Sequence, residues 1–403
     1  MNSVYGKIAG IDVHKKWLYV VAGDKRQRFG STVLELEELS HWLEQEQVNT
    51  VVMESTALYW KPVWIALRGL FQQYLAQAQS NRARAGRKQD FRDAERLIRR
   101  LAAQELDLSF VPEPEQQEWR MLTRQRVEYS QQLTRVRNHI EALLEEARIK
   151  ISGYLSDLLS LSGRRMLKAL SLGENDPATL AQLADPRVRA TQEELAAALT
   201  GHMTALQRLL LRQDLSTIEL LEQHMEEVSA ELTRSLEQHT AAIERLCEIP
   251  GVGVSAAEQI LAEVGPTAAT FPTQAHLSSW AGLCPGREES AGVSQSNTCP
   301  KGNRSLRRIL SQVAWSAVRM KNSFFQCLFR RLTPRLGVQK AIWAVAHRIL
   351  RVIWIVLHRG ESYRELGPLA GNPQHIQRKL RRMVRELTHF GYQILAPVPT
   401  SQE

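Results

Sequence analysis

Two short apolar runs, Ile8-Ala-Gly-Ile-Asp12 and Thr50-Val-Val-Met-Glu54, each end in a carboxylate. Their length and β-rich composition read as compact strands, and a fold containing them must place both acids at strand ends. Around them, Trp17–Ala22 is a second β-rich run and Arg28–Val33 a third. A helix is expected at about 35–46, where early acids suit the positive end of its dipole. An aromatic helix around 59–70 and a further strand at 74–79 follow, and the second half of 81–100 is helical. The chain opens as an α/β domain. At 403 residues it is too long for one ordinary domain, so two or three are expected.

Three strands, a helix, a strand, a helix and a strand form a ribonuclease-H-like order. Pro112 and Pro114 mark its end. Beyond them Leu122, Tyr129, Leu133, Val136, Ile140, Leu143 and Ala147 recur at three- and four-residue steps, the rhythm of an amphipathic helix of coiled-coil period. A second long helix is expected over 192–247, where Ile218, Leu221, Met225, Val228 and Leu232 continue the rhythm until it fails at Ser235 and His239. The two form a helical arm that packs on itself or on another subunit. A third region starts at Ile249-Pro-Gly-Val-Gly253 and runs through a Gly/Ser/Pro-rich stretch into basic helices. The expected fold is therefore α/β plus all-α. It comprises a ribonuclease-H-like domain at 1–111, a coiled-coil arm at 112–247, a mostly helical domain with a helix–hairpin–helix-like element at 248–390, and a tail at 391–403.

Charge separates these regions. Residues 301–390 hold nineteen basic and three acidic residues, a net of +16, and the other 313 residues carry −7. A local surplus of this size is a binding surface for a polyanion. Four scattered cysteines, Cys247, Cys284, Cys299 and Cys327, favour neither a disulfide framework nor a zinc site, which fits a reducing cytosol. The N-terminus has no secretory pattern, and the most apolar run, 341–357, is interrupted by His347, Arg348 and Arg351 and falls short of a bilayer span. A cytoplasmic protein with no membrane partner is expected.

Four acids carry the first candidate chemistry. Asp12 and Glu54 end neighbouring strands, and Asp90 and Asp93 stand three apart, on one side of a helix. Such a cluster repels itself unless divalent cations occupy it, and hard oxygen donors suit Mg2+ or Mn2+. Two such ions about 4 Å apart clamp the attacking and leaving oxygens of a phosphoryl transfer. Each acid also has a plainer reading: Asp12 could start a turn, Glu54 cap a helix and Asp93 pair with Arg96. The basic residues supply the second set. Arg82, Arg84, Arg87 and Lys88 precede the acid pair, Gly251 and Gly253 form a turn whose backbone amides can hold a phosphate, and Lys301, Arg304, Arg307 and Arg308 open the basic tract. The loop Pro285-Gly-Arg-Glu-Glu-Ser-Ala-Gly292 places Ser290 just before the small residues Ala291 and Gly292, with Arg287 three positions earlier. Taken alone it reads better as an ordinary Ser/Gly loop, and the interleaved aromatics of the tract read mainly as core.

The combination resembles the DEDD transposases of bacterial insertion sequences, which implies a RuvC-like catalytic domain at 1–111. Gly10-Ile-Asp12-Val-His14-Lys15, the Glu54 strand and Lys88-Gln-Asp90-Phe-Arg-Asp93-Ala94 look like that family's four-acid set. Ile249-Pro-Gly-Val-Gly253, Ser279-Trp-Ala-Gly-Leu283-Cys-Pro285, Glu289-Ser290-Ala-Gly292, Lys301-Gly-Asn303 and Leu306-Arg-Arg308 follow the order of its second conserved domain. The resemblance implies a DNA recombinase guided by a structured noncoding RNA that pairs with donor and target DNA. It also implies metal ligation by Asp12, Glu54, Asp90 and Asp93, and a nucleophilic serine best matched by Ser290. Composite sites shared between subunits of a homodimer or homotetramer, and association with the nucleoid during action, are further implications. The neutral stretch Val293–Thr298, where relatives carry basic residues, leaves Ser294 and Ser296 as weaker matches for the nucleophile. Two rivals are a Holliday-junction-type metal-dependent endonuclease using water, and a non-enzymatic nucleic-acid-binding protein.

Overall fold

The computed structural model describes residues 5–55, 57–78, 90–284, 288–290, 293–296, 299, 301–365, 367 and 373–393. They fall into two compact units, Met1–Glu113 and Pro114–Glu403.

The first unit holds β1 (Ile8–Val13), β2 (Trp17–Ala22), β3 (Lys25–Gly30), α1 (Val33–Gln45), β4 (Thr50–Glu54), α2 (Trp60–Ala66), β5 (Gln72–Ala76) and α3 (Asp90–Ala102). The sheet order is β3-β2-β1-β4-β5. β1, β2 and β3 pair antiparallel, while β4 lies parallel to both β1 and β5. Tight hairpins make the antiparallel half; the β2–β3 turn is Gly23-Asp24, with Gly23 at φ +62°. The parallel pair β1–β4 needs a crossover, which α1 supplies. This is a mixed α/β sheet consistent with the expected ribonuclease-H-like order.

Each face of the sheet has its own cover. Ala9, Ile11, Val13, Val51 and Met53 pack with Leu36, Leu39 and Leu43 of α1 and with Val63 of α2. The alternate residues Ile8, Val52 and Ala76 meet Leu97 and Leu101 of α3. Period-two alternation therefore assigns Gly10, Asp12 and Glu54 to the α3 face.

The second unit is mostly helical. It starts with α4 (Pro114–Glu146), the short helices α5 (Leu161–Leu172), α6 (Pro177–Ala181) and α7 (Gln192–Leu199), and α8 (Ala205–Ser235). There follow α9 (Thr240–Cys247), α10 (Val254–Val264), α11 (Gln274–Trp280), the strands β6 (Glu288–Ser290) and β7 (Val293–Ser296), α12 (Arg304–Ala317), α13 (Phe324–Leu336), α14 (Val338–Arg359) and α15 (Pro373–His389). α4 and α8 run antiparallel. Trp119 meets His239 beyond the end of α8, Tyr129 meets His224, and His139 Nδ1 lies 2.7 Å from Asp214 Oδ2.

The single helix expected over 192–247 is divided. At 200–204 the chain crosses the end of α4, where His202 N donates to Ala147 O. Gly201 is needed there because a Cβ would lie 2.4 Å from the same oxygen. Thr204 and Gln207 then cap α8 reciprocally. The second break, at 236–239, falls where the heptad rhythm fails.

Trp119 and Leu122 of α4 and Leu232 of α8 share one core with α9–α14, so the arm is rooted in the C-terminal helices. The apolar run read as too short for a bilayer is in fact part of a 22-residue helix, α14, that is long and apolar enough to cross one by length and composition. Ile342, Val345, Ile349, Ile353 and Trp354 are buried in that same core, which accounts for its apolar content.

Candidate functional site

Gly10 sets the geometry of the acid cluster. A Cβ there would fall 2.2 Å from Ala94 O, so only glycine lets α3 lie this close to β1. Asp12 is two residues further along the same face. Close packing at Gly10 thus brings the first turn of α3, with Asp90 and Asp93, beside Asp12. The α3 amino terminus also favours the two carboxylates through its dipole.

Asp12 is 8% exposed. Burial raises its pKa above the ordinary aspartate value; the Asp93 and Asp90 charges add to the rise, and His14 opposes it. Ile11 pairs with Met53, so the next residues, Asp12, one before the end of β1, and Glu54, the last of β4, lie side by side on the α3 face. Glu54 is half-buried. Asp93 accepts a hydrogen bond from Arg96 at 2.7 Å, the pairing expected of an ordinary i,i+3 ion pair.

His14, unassigned in the sequence reading, completes the cluster. Its Nε2 lies 3.2 Å from Asp12 Oδ2 and 3.5 Å from Asp90 Oδ1. One ligand atom from each of Asp12, His14 and Asp90 lies within 4.8 Å of the others, a grouping able to hold a metal ion. Its ring stands edge-on to Tyr19, which stands edge-on to Phe91 of α3. The Asp-x-His spacing at a strand end was the available signal, since the first residue past β1 stays close to the side chain two positions before it.

Ser290 belongs to the second unit. It ends β6 and pairs with Val293 of β7, so the expected loop contributes to a two-stranded antiparallel ribbon. Ser294 and Ser296 lie on β7, opposite Glu289 and Glu288. Arg82, Arg84, Arg87, Lys88 and Arg287 lie outside the described residues.

The glycines and basic residues of the expected phosphate-binding set divide by role. Gly251 has φ +86°, and a Cβ would lie 2.5 Å from Val313 O, so the turn before α10 packs tightly on α12. Gly253 faces open space at the start of α10. Gly302, at φ +48°, would bring a Cβ within 2.3 Å of Ala281 O. Asn303 next to it caps α12 by accepting from Leu306 N at 2.9 Å and donates to Glu263 Oε2 at 2.8 Å.

Glu263, 2% exposed, is also gripped by both ends of the Arg124 guanidinium at 2.9 and 3.0 Å and faces Arg120 at 3.3 Å. Burial lowers the Arg120 pKa to about 10, and Glu263 counters that effect, so the guanidinium stays charged. Arg126 and buried Glu258 pair at 2.7 Å.

A groove of about 800 Å³ lies against this network, lined by Arg124, Gln259, Arg304, Arg307 and Arg308 among others. Arg307 donates to Gly282 O and covers the Trp343 ring, and Arg308 donates to Gln259. Lys301 and Arg304 are exposed. The expected phosphate-binding set therefore contains two half-buried, engaged arginines and two exposed cations. Of the aromatics, Trp354 is buried with its indole N–H bonded to Phe271 O, as the core reading held.

Comparison with known proteins finds the same two regions. Residues 9–149 match the family DEDD_Tnp_IS110, described as "Transposase", and residues 243–327 match the "Transposase IS116/IS110/IS902 family". The chain is similar to the "Transposase for insertion sequence element IS1111A" of Coxiella burnetii, 26% identical over 89% of this chain and 88% of that protein. It is 30% identical to the "Putative transposase y4pF/y4sB" of Sinorhizobium fredii over 30% of this chain and 32% of that protein. It is 27% identical to the "Insertion element IS110 uncharacterized 43.6 kDa protein" of Streptomyces coelicolor, over 38% of each. The chain thus spans about a third of the length of these last two relatives and most of the first.

Proposed function

Because the chain belongs to the DEDD transposases of insertion sequences, we propose that it cleaves and rejoins DNA strands, using the acids of its first unit and Ser290 of its second. The observation that carries this reading is the gathering of Asp12, Asp90 and Asp93 on one face of a mixed sheet, with Glu54 ending the neighbouring strand. Three carboxylates drawn together, one of them buried, fit a divalent cation as counter-charge. Asp12, Glu54, Asp90 and Asp93 would hold Mg2+ or Mn2+, which when bound stabilises the charge that develops on a phosphoryl group.

Ser290 supplies the nucleophile. Its oxygen bonds to phosphorus as its proton leaves, the bond to one deoxyribose oxygen breaks, and that sugar oxygen takes up a proton. The resulting phosphoserine ester keeps the energy of the broken diester for rejoining. Lys301, Arg304, Arg307 and Arg308, with Gly251 and Gly253, bind the backbone phosphates, and Arg82, Arg84, Arg87, Lys88 and Arg287 extend that surface. Donor and target DNA are the substrates, a structured noncoding RNA from the element is the guide, and a homodimer or homotetramer is the working assembly.

Cleavage of labelled element-end DNA tests the acids. Asp12→Asn or Asp90→Asn should lower it at least about 10³-fold, or about 4 kcal/mol; activity near wild type would remove the metal role. Sequencing RNA that co-purifies with the protein tests guidance: one discrete species supports it, and bulk cellular RNA contradicts it.

A further inference from the structure

The geometry points to His14 as a direct metal ligand, making the Asp12–His14–Asp90 corner of the acid cluster a mixed oxygen–nitrogen site that prefers Mn2+ to Mg2+. This rests on the reading of the acids as a divalent-cation site and goes beyond it, since an all-carboxylate set offers no such preference.

Spacing is the first argument. Donors on neighbouring corners of an octahedron, each about 2.1 Å from the ion, lie about 3.0 Å apart. His14 Nε2 stands 3.2 Å from Asp12 Oδ2 and 3.5 Å from Asp90 Oδ1, close to that separation from both carboxylates at once. A histidine present only to neutralise Asp12 needs one carboxylate, and this one faces two on different elements.

Orientation is the second. The His14 backbone N–H bonds to Trp17 O in the β1–β2 hairpin, which fixes where the side chain starts. Its ring then meets the edge of Tyr19 at 5.7 Å, and Tyr19 meets Phe91 at 5.2 Å. Phe91 is next to Asp90, and Tyr19 pairs with Asp12 across the hairpin. The aromatic chain thus ties the imidazole to the two elements that carry the carboxylates, and a ligand held this way loses little freedom on binding a metal.

Ligand chemistry is the third. Imidazole suits transition ions, whereas Mg2+ selects oxygen and keeps its waters. Adding one nitrogen donor to a carboxylate set shifts the preference toward Mn2+.

The test uses the full chain without nucleic acid. Mn2+ is titrated into wild type, His14→Gln, His14→Ala and Asp12→Asn, with bound ion read by electron paramagnetic resonance and folding checked by circular dichroism. Wild type should bind Mn2+ and show nitrogen modulation in the pulsed spectrum. His14→Gln should lose that modulation and weaken Mn2+ binding about tenfold or more, with Mg2+ competition changed far less. Wild type that binds Mn2+ with no nitrogen signal, or a His14→Gln variant that keeps it, overturns the assignment of His14 while the acid site stands. Wild type that binds no Mn2+, or Asp12→Asn that binds as well as wild type, removes the acid site and this inference with it. The wild-type spectrum decides the matter even if both His14 variants misfold.

Discussion

The two units handle buried carboxylates in opposite ways. In the second, Glu263 has Arg120, Arg124 and Asn303 around it, and Glu258 has Arg126. In the first, Asp12 is buried beside two further aspartates, and among the described residues the cation-forming side chain it faces is His14. A buried acid matched by arginines is a structural joint, since breaking it leaves charge stranded. A buried acid surrounded by like charge carries a cost that folding alone does not explain, and such sites are where function concentrates. The same residue type therefore has two meanings, and its neighbours decide which.

The sharpest way to break that contrast is to remove one acid from each unit. Asp12→Asn should abolish DNA cleavage, as above, without unfolding the chain. Glu263→Gln should instead destabilise the second unit by about 3 kcal/mol, because Arg120 and Arg124 lose their partner; urea denaturation measures it. A stable Glu263→Gln chain would mean the arginine network is not a joint.

Gly10→Ala probes the packing that assembles the acids. It should cost about 2 kcal/mol as α3 shifts from the sheet, and Mn2+ titration should find binding weakened with it. Arg304→Ala and Arg307→Ala separate contact from support. The exposed Arg304 should weaken DNA binding by about 1 kcal/mol and lower the salt slope by about one. Arg307, bonded to Gly282 O and stacked on Trp343, should lower thermal stability as well. Equal effects of the two on both readouts would erase the distinction.

The smallest effect is one of pH. A carboxyl whose folded pKa is raised favours folding below its unfolded pKa, and that contribution is lost as pH rises through the folded value. Asp12 is such a group. In metal-free protein Asp12→Asn should therefore melt above wild type at pH 7, with the gain shrinking toward about pH 4. A lower melting point at pH 7 would deny that Asp12 is held at a cost.

The strand order and the placing of Asp12 near Asp90 and Asp93 were readable because both lie in short local patterns: a β-rich run carrying a carboxylate near its end, and two aspartates one helical turn apart. His14 was not, because its meaning depends on α3 arriving beside the hairpin, a contact that Gly10 allows and that spacing alone does not reveal. The long-helix rhythm was legible, but the break at 200–204 was not. Thr204 and Gln207 carried a capping signal there, yet the apolar period on both sides masked it. Arg307 and Arg308 read as phosphate contacts on charge alone; only the fold gives them Gly282 O and Gln259 as partners.

The central claim is that acids in one unit and Ser290 in the other carry out a single phosphoryl transfer. Its most direct measurement is mass-spectrometric mapping of the protein–DNA adduct formed with labelled element-end DNA and a divalent cation. The account predicts a phosphodiester-linked peptide at Ser290, absent from Ser290→Ala and from Asp12→Asn. Strand cleavage without any adduct, or an adduct undiminished in Ser290→Ala, would contradict it.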